Sequence, residues 1–174
     1  MQSSNRPNYL IITVIVTWFF FVIAGFIYFQ VGQLKAFDST QMLIKNSWFN
    51  NFKQQLTWKN KEVASLILIT EQSCGCFKQA KSHISSLTTL AKTKGLDVVQ
   101  LQLTQELKAV VPATPAAIII DKSGDFVYVG PLSEGLACAQ GSGFVEAVIN
   151  NLVAGYNSKL LITDTKGCYC VNKV

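Results

Sequence analysis

The chain has 174 residues, a net charge of +5, 14% charged residues and 49% hydrophobic ones. That length holds one membrane anchor and one modest domain. The positive charge is spread over scattered lysines with no basic block and no aromatic-basic interleaving, so the pattern speaks against nucleic acid as a partner.

Tyr9 to Phe29 carries no charge and no proline. These 21 residues make about 31 Å of helix, against a hydrocarbon core of roughly 30 Å. Tyr9 and Tyr28 lie near the ends, where aromatic belts form. A cleaved signal peptide has a shorter apolar core followed by a small-x-small site. The nearest approach, Ala24-Gly25-Phe26, lies inside the run, so an uncleaved anchor is expected. Arg6 before the span and Lys35 and Lys45 after it give no decisive charge bias. Short tails usually stay inside, so the following domain is expected outside the cytoplasm, facing the periplasm from a bacterial inner membrane.

After a connector, Asp38, Ser39 or Thr40 can cap a helix starting near Gln41. Ile44, Trp48, Phe52 and Leu56 recur at spacing four and mark an amphipathic, core-facing face. Lys59-Asn60-Lys61 turns into the apolar run 63–70, whose near-continuous hydrophobicity fits a central strand buried on both faces. Phe77 to Lys94 reads as helix, with Ala80, Ile84, Leu87 and Ala91 on one side and Gly95 as C-cap. Leu96 to Leu103 is a second strand, and 104–110 a short helix or loop. Ala116 to Ile120 is a third strand, joined through the turn 121–125 to a returning strand, Phe126 to Gly130. Gly143 to Val153 has helical spacing, and Leu160 to Ile162 forms a last short strand.

The predicted organisation is a tail (1–8), a transmembrane helix (9–29), a connector (30–40), a folded domain (41–160) and a cysteine-containing C-terminal tail (161–174). Strands separated by helices argue for parallel crossovers, and the hairpin adds an antiparallel edge, giving an α/β domain with a mixed sheet.

Cys74-Gly75-Cys76 lies between the apolar strand and the helix that follows. Two thiols at a helix N-terminus suit redox or metal chemistry, because the partial positive charge there favours thiolate. Lys78 adds to that effect one turn on. Five cysteines are many for a reduced cytosolic domain, and the odd count leaves at least one thiol free or paired outside the chain.

The strand ending in Cys74-Gly75-Cys76-Phe77-Lys78, the helix and strand after it, and Thr114-Pro115 opening a strand-hairpin-helix finish resemble the thioredoxin-like superfamily. The resemblance spans roughly residues 60–155. With the anchor, the chain looks like the membrane-tethered thioredoxins of bacterial envelopes, within an uncharacterised proteobacterial branch. It implies a three-layer α/β/α sandwich. It also implies Cys74 as nucleophile, Gly75 as the glycine after it, Pro115 as a cis-proline facing the site, and Thr114 with Gly75 as substrate-binding positions. The partners implied are protein thiols and disulfides, with no cofactor. The family spaces its cysteines by two residues; here the gap is one, and Phe77 stands where the second cysteine falls.

On this reading Cys74 attacks a substrate disulfide and Cys76 resolves the mixed disulfide. A Cys74–Cys76 bridge needs locally non-helical backbone, which Gly75 permits, and its strain predicts an oxidant or isomerase rather than a strong reductant. Cys138 is either a third redox thiol or, preferred, half of a structural bridge to Cys168 or Cys170. A second reading is a copper- or zinc-binding accessory protein, since Cys74-x-Cys76 and Cys168-x-Cys170 are both short-spaced pairs. His83 stands two turns, about 10 Å, beyond Cys76, so the two cannot share a metal on a regular helix; it is the only histidine and is expected as a surface helix residue rather than a ligand. No metal ligands are assigned on this basis. A third reading is an inert interaction domain in which Cys74 and Cys76 form a fixed bridge.

Overall fold

The computed structural model describes residues 8–32, 34–59, 61–135 and 143–172. Arg6, Asn60 and Cys138 lie outside the described residues. The chain divides into two units, Met1–Gln33 and Leu34–Val174. The first holds helix α1, Tyr9–Gly32, whose large apolar side chains are exposed on every side. Such a helix leaves its whole surface to be covered by lipid or removed by cleavage, so it fits a single-pass anchor or a signal sequence.

The second unit is a mixed α/β domain. Its strands are β1 (Lys35–Ala36), β2 (Ser65–Thr70), β3 (Asp97–Gln102), β4 (Ala113–Thr114), β5 (Ala116–Ile120), β6 (Phe126–Pro131), β7 (Leu160–Leu161), β8 (Lys166–Gly167) and β9 (Cys170–Val171). Its α-helices are α2 (Trp48–Gln55), α3 (Gly75–Thr93), α4 (Gln105–Lys108) and α5 (Phe144–Val153). The main sheet has five strands in the order β3-β2-β5-β6-β7. β2 pairs parallel with β3 and antiparallel with β5, β5 antiparallel with β6, and β6 parallel with β7. The predicted strands and the mixed sheet are there, but the hairpin β5–β6 sits inside the sheet and β7 forms the edge.

All six residues of β2 are buried, and its alternation divides the core between the two faces. Leu66 and Leu68 pack with Ala80, Ile84, Leu87, Val145 and Val148 of α3 and α5. Ile67 and Ile69 pack on the other face with Trp48, Phe52, Val111 and Tyr169. Helices thus flank the sheet on both sides.

Asp38 explains one departure from the expected helix near Gln41. Its carboxylate accepts from the backbone N–H groups of Met42 and Leu43, both at 2.8 Å. That cap starts only a 3-10 turn, Met42–Ile44, which ends at extended Lys45. α2 begins afresh at Trp48, out of phase with the turn. Trp48 and Phe52 therefore reach the core as expected, whereas Ile44 is 56% exposed.

The C-terminal segment is built into the domain by short backbone ladders. β8 pairs antiparallel with β1, and β9 pairs antiparallel with β4, setting Cys170 opposite Thr114. Gly135 N–H donates to the Lys166 carbonyl, and Cys168 N–H to the Gly135 carbonyl. The Tyr169 hydroxyl donates to the Ser133 carbonyl at 2.8 Å, and its ring stands edge-on to Phe37. Asn172 closes the segment: its N–H donates to the Pro112 carbonyl and its Nδ2 to the Val111 carbonyl.

Candidate functional site

Cys74 is the N-cap of α3, with extended backbone (φ −76°, ψ 122°), and Cys76 lies in the first turn. Cys74 is buried, while Cys76, Cys168 and Cys170 are half-buried. The Cys74 Sγ lies 3.9 Å from the Thr114 carbonyl oxygen. The Thr114–Pro115 peptide bond is cis. Cys74, Gly75, Cys76, Thr114 and Pro115 are thus gathered at one end of the sheet. Thr114 is fully buried, and its hydroxyl has no hydrogen-bond partner among the described residues.

The disulfide connectivity corrects two expectations. Cys74 is bonded to Cys170 and Cys76 to Cys168, with Cα separations of 6.0 and 5.6 Å. Cys74 and Cys76 are therefore not bonded to each other. Cys74 is the extended N-cap and Cys76 lies in the helical first turn, and the segment from Cys168 into β9 lies alongside to bond them. The expected bridge from Cys138 to Cys168 or Cys170 is likewise replaced, because both tail cysteines are already taken. The two C-x-C segments run past each other in opposite directions: the first cysteine of one pairs with the last of the other. The sulfurs of Cys74, Cys76 and Cys170 lie within 4.8 Å of one another, and Cys168 is bonded to one of them.

Gly167 is needed for this arrangement. A Cβ there falls 2.5 Å from the Tyr169 ring and 2.9 Å from the Gly135 carbonyl oxygen. The residues that sequence reasoning missed are Gly167, Tyr169 and Asn172, which position the tail cysteines. The available signal was the equal spacing of the two C-x-C pairs, which suits a paired, opposed alignment.

His83 also departs from expectation: it is buried, and its Nε2 lies 2.6 Å from a Glu146 carboxylate oxygen on α5. Its position, three residues after Ala80 and four before Leu87, puts it on the apolar stripe of α3. Its Nδ1 and the second Glu146 oxygen are buried without partners among the described residues. The pair ties α3 to α5 behind the cysteines.

The fold and the four linked cysteines define a mixed α/β domain with an opposed C-x-C/C-x-C site, preceded by an apolar helix. Over residues 45–172 the sequence matches the family described as a domain of unknown function, DUF6436, and the chain belongs to that family. Among curated proteins none matches it. Two solved structures share the fold. An uncharacterized conserved protein from Geobacillus kaustophilus is 15% identical, with a TM-score of 0.52 over 66% of this chain and 79% of that one. A hypothetical protein from Sinorhizobium meliloti 1021 is 13% identical, with a TM-score of 0.50 over 66% of this chain and 81% of that one. At such identities the likeness is one of fold alone.

Proposed function

We propose that this chain is a membrane-tethered thiol–disulfide oxidoreductase or isomerase of thioredoxin-like type. Its domain faces the periplasm from the inner membrane and acts on protein thiols and disulfides. The observation that carries this reading is Cys74: it caps α3, is held in a disulfide, and its sulfur stands 3.9 Å from the carbonyl of the residue before Pro115. The redox unit is the pair of crossed bridges rather than a Cys74–Cys76 bridge alone. A partner thiolate attacks the sulfur of Cys170, the less buried end of its bridge. Cys74 then leaves as a thiolate at the helix N-terminus, where the backbone N–H groups and dipole stabilise it. Its proton is taken up from solvent when the pH favours the thiol. Cys76 and Cys168 supply a second two-electron step. Thr114 and Gly75 line the approach, and Pro115 shapes it.

Thiol trapping of the full chain across a series of glutathione redox buffers, followed by peptide mapping, tests the reading. Cys74 and Cys170 should change state together, and a Cys74→Ser chain should accumulate mixed disulfides at Cys170. If all four cysteines stay oxidised under every buffer that reduces glutathione-linked controls, the reading fails and the bridges are fixed staples.

A further inference from the structure

The tail strands stay placed by contacts that involve no sulfur–sulfur bond. The β1–β8 and β4–β9 ladders, the Tyr169–Ser133 hydrogen bond and both Asn172 hydrogen bonds use no cysteine sulfur. These contacts are available to hold the tail, and with it Cys168 and Cys170, beside Cys74 and Cys76 when the bridges open. Disulfide sulfur is a poor ligand, while thiolate is the preferred ligand of soft d10 cations.

We propose that the reduced Cys74, Cys76, Cys168 and Cys170 form a closed tetrathiolate site for one thiophilic d10 cation of the Zn(II) type. Zn–S bonds of about 2.3 Å in a tetrahedron set neighbouring sulfurs about 3.8 Å apart. The sulfurs of Cys74, Cys76 and Cys170 already lie within 4.8 Å of one another, so the widest of these gaps closes by about 1 Å. The bonded pairs separate to the same distance once reduced. The N-terminus of α3 carries Cys74 and Cys76 and offsets part of the negative charge of four thiolates. The sequence offers both C-x-C pairs as metal-binding candidates, and the structure adds that they lie against each other.

The reaction balances with a dithiol as reductant. Two dithiols reduce the two bridges to four thiols and become two disulfides. One Zn(II) then displaces four protons, leaving a site with a net charge of −2. The metal and disulfide states exclude each other, so the site switches between them with the redox poise.

The test uses the full chain in detergent, reduced with a phosphine and freed of it, with Zn(II) and Co(II) as probes. One Zn(II) should bind per chain, and Co(II) should give the ligand-field bands and sulfur charge transfer of a tetrahedral tetrathiolate. Cys168→Ser should lose one thiolate from that spectrum. Its Zn(II) affinity should fall by more than the roughly 10–100-fold seen when an outer partner is lost. Cys138→Ser should bind as the parent does. Bound Zn(II) should block re-formation of both bridges by glutathione disulfide. The inference is overturned if the reduced chain binds no stoichiometric metal, if the cobalt spectrum reports fewer than four thiolates, if Cys138→Ser abolishes binding, or if circular dichroism shows the domain unfolding on reduction. Disulfide exchange without metal binding sinks this inference alone. Metal binding without disulfide exchange sinks the oxidoreductase reading alone.

Discussion

The two bridges are nested, and this makes their contributions to stability strongly non-additive. Cys74–Cys170 spans a sequence separation of 96 and Cys76–Cys168 one of 92, so either alone closes nearly the same loop. In the chain-entropy view a loop of that length contributes about 4.7 kcal/mol. Once it is closed, the other bridge closes only the small ring of Cys74-Gly75-Cys76 and Cys168-Tyr169-Cys170, and the same relation gives about 2.2 kcal/mol for about six residues. Removing one bridge, as Cys74→Ala with Cys170→Ala or Cys76→Ala with Cys168→Ala, should therefore cost about 2 kcal/mol. Removing both should cost about 7 kcal/mol, well above the roughly 4 kcal/mol sum of the two single losses. Urea unfolding of the full chain in detergent, followed by tryptophan fluorescence and far-UV circular dichroism, measures all three. If the quadruple variant loses only the sum of the two pairs, the nested-loop reasoning is refuted.

Other outcomes follow from single contacts. Gly167→Ala drives a Cβ into the Tyr169 ring and the Gly135 carbonyl, so it should cost about 1–3 kcal/mol in the same unfolding assay and speed alkylation of Cys168 and Cys170 after reduction. Asp38→Ala strips the buried carboxylate from two backbone N–H groups and should cost about 3 kcal/mol. Burial, and more weakly Tyr169 and Glu146, push the Tyr128 hydroxyl well above its ordinary range. A raised folded-state value favours the neutral form, so this contribution is complete below the unfolded value of about 10 and is lost as pH rises through the folded one. Tyr128→Phe should thus cost about 1 kcal/mol at neutral pH, through the lost bond to the Pro131 carbonyl, and lose less than the parent when unfolding is repeated at alkaline pH.

The regular elements of the domain were legible because their signals are local. The continuous apolar run announced β2, the stripe through Ala80, Ile84, Leu87 and Ala91 announced α3, and the Asp121–Asp125 turn announced the hairpin. His83 was misplaced although it shares that stripe, because a lone histidine was weighed by its polarity rather than by its phase. Ile44 departs from the stripe because spacing four carries no information about the extended backbone at Lys45 that separates the 3-10 turn from α2. The tail strands were not legible at all. β8 and β9 are two residues each, too short for any periodicity, and their partners lie far away in sequence. The candidate site was therefore only half legible: Cys74, Gly75, Cys76, Thr114 and Pro115 could be singled out, but the cysteines that bond to them could not be assigned.

That unread half bears on what the cysteines are for. If the bridges served only to hold the tail, the first would supply most of the chain-entropy stabilisation and the second about a third of it. The tail is already held by two ladders and by Tyr169 and Asn172, so the second bridge adds little retention. Its clearest consequence is chemical: it brings two further sulfurs to the first bridge, and that of Cys76 stands within 4.8 Å of those of Cys74 and Cys170. A staple needs its sulfurs bonded, whereas a site needs them close whether bonded or not. The sulfur-free contacts of the tail meet the second requirement. Keeping those contacts intact while opening both bridges by reduction is therefore the condition that separates a staple from a site. On the geometry described, the four thiols should remain together and reactive with one another, re-forming the same two bridges on oxidation faster than a chain carrying Gly167→Ala.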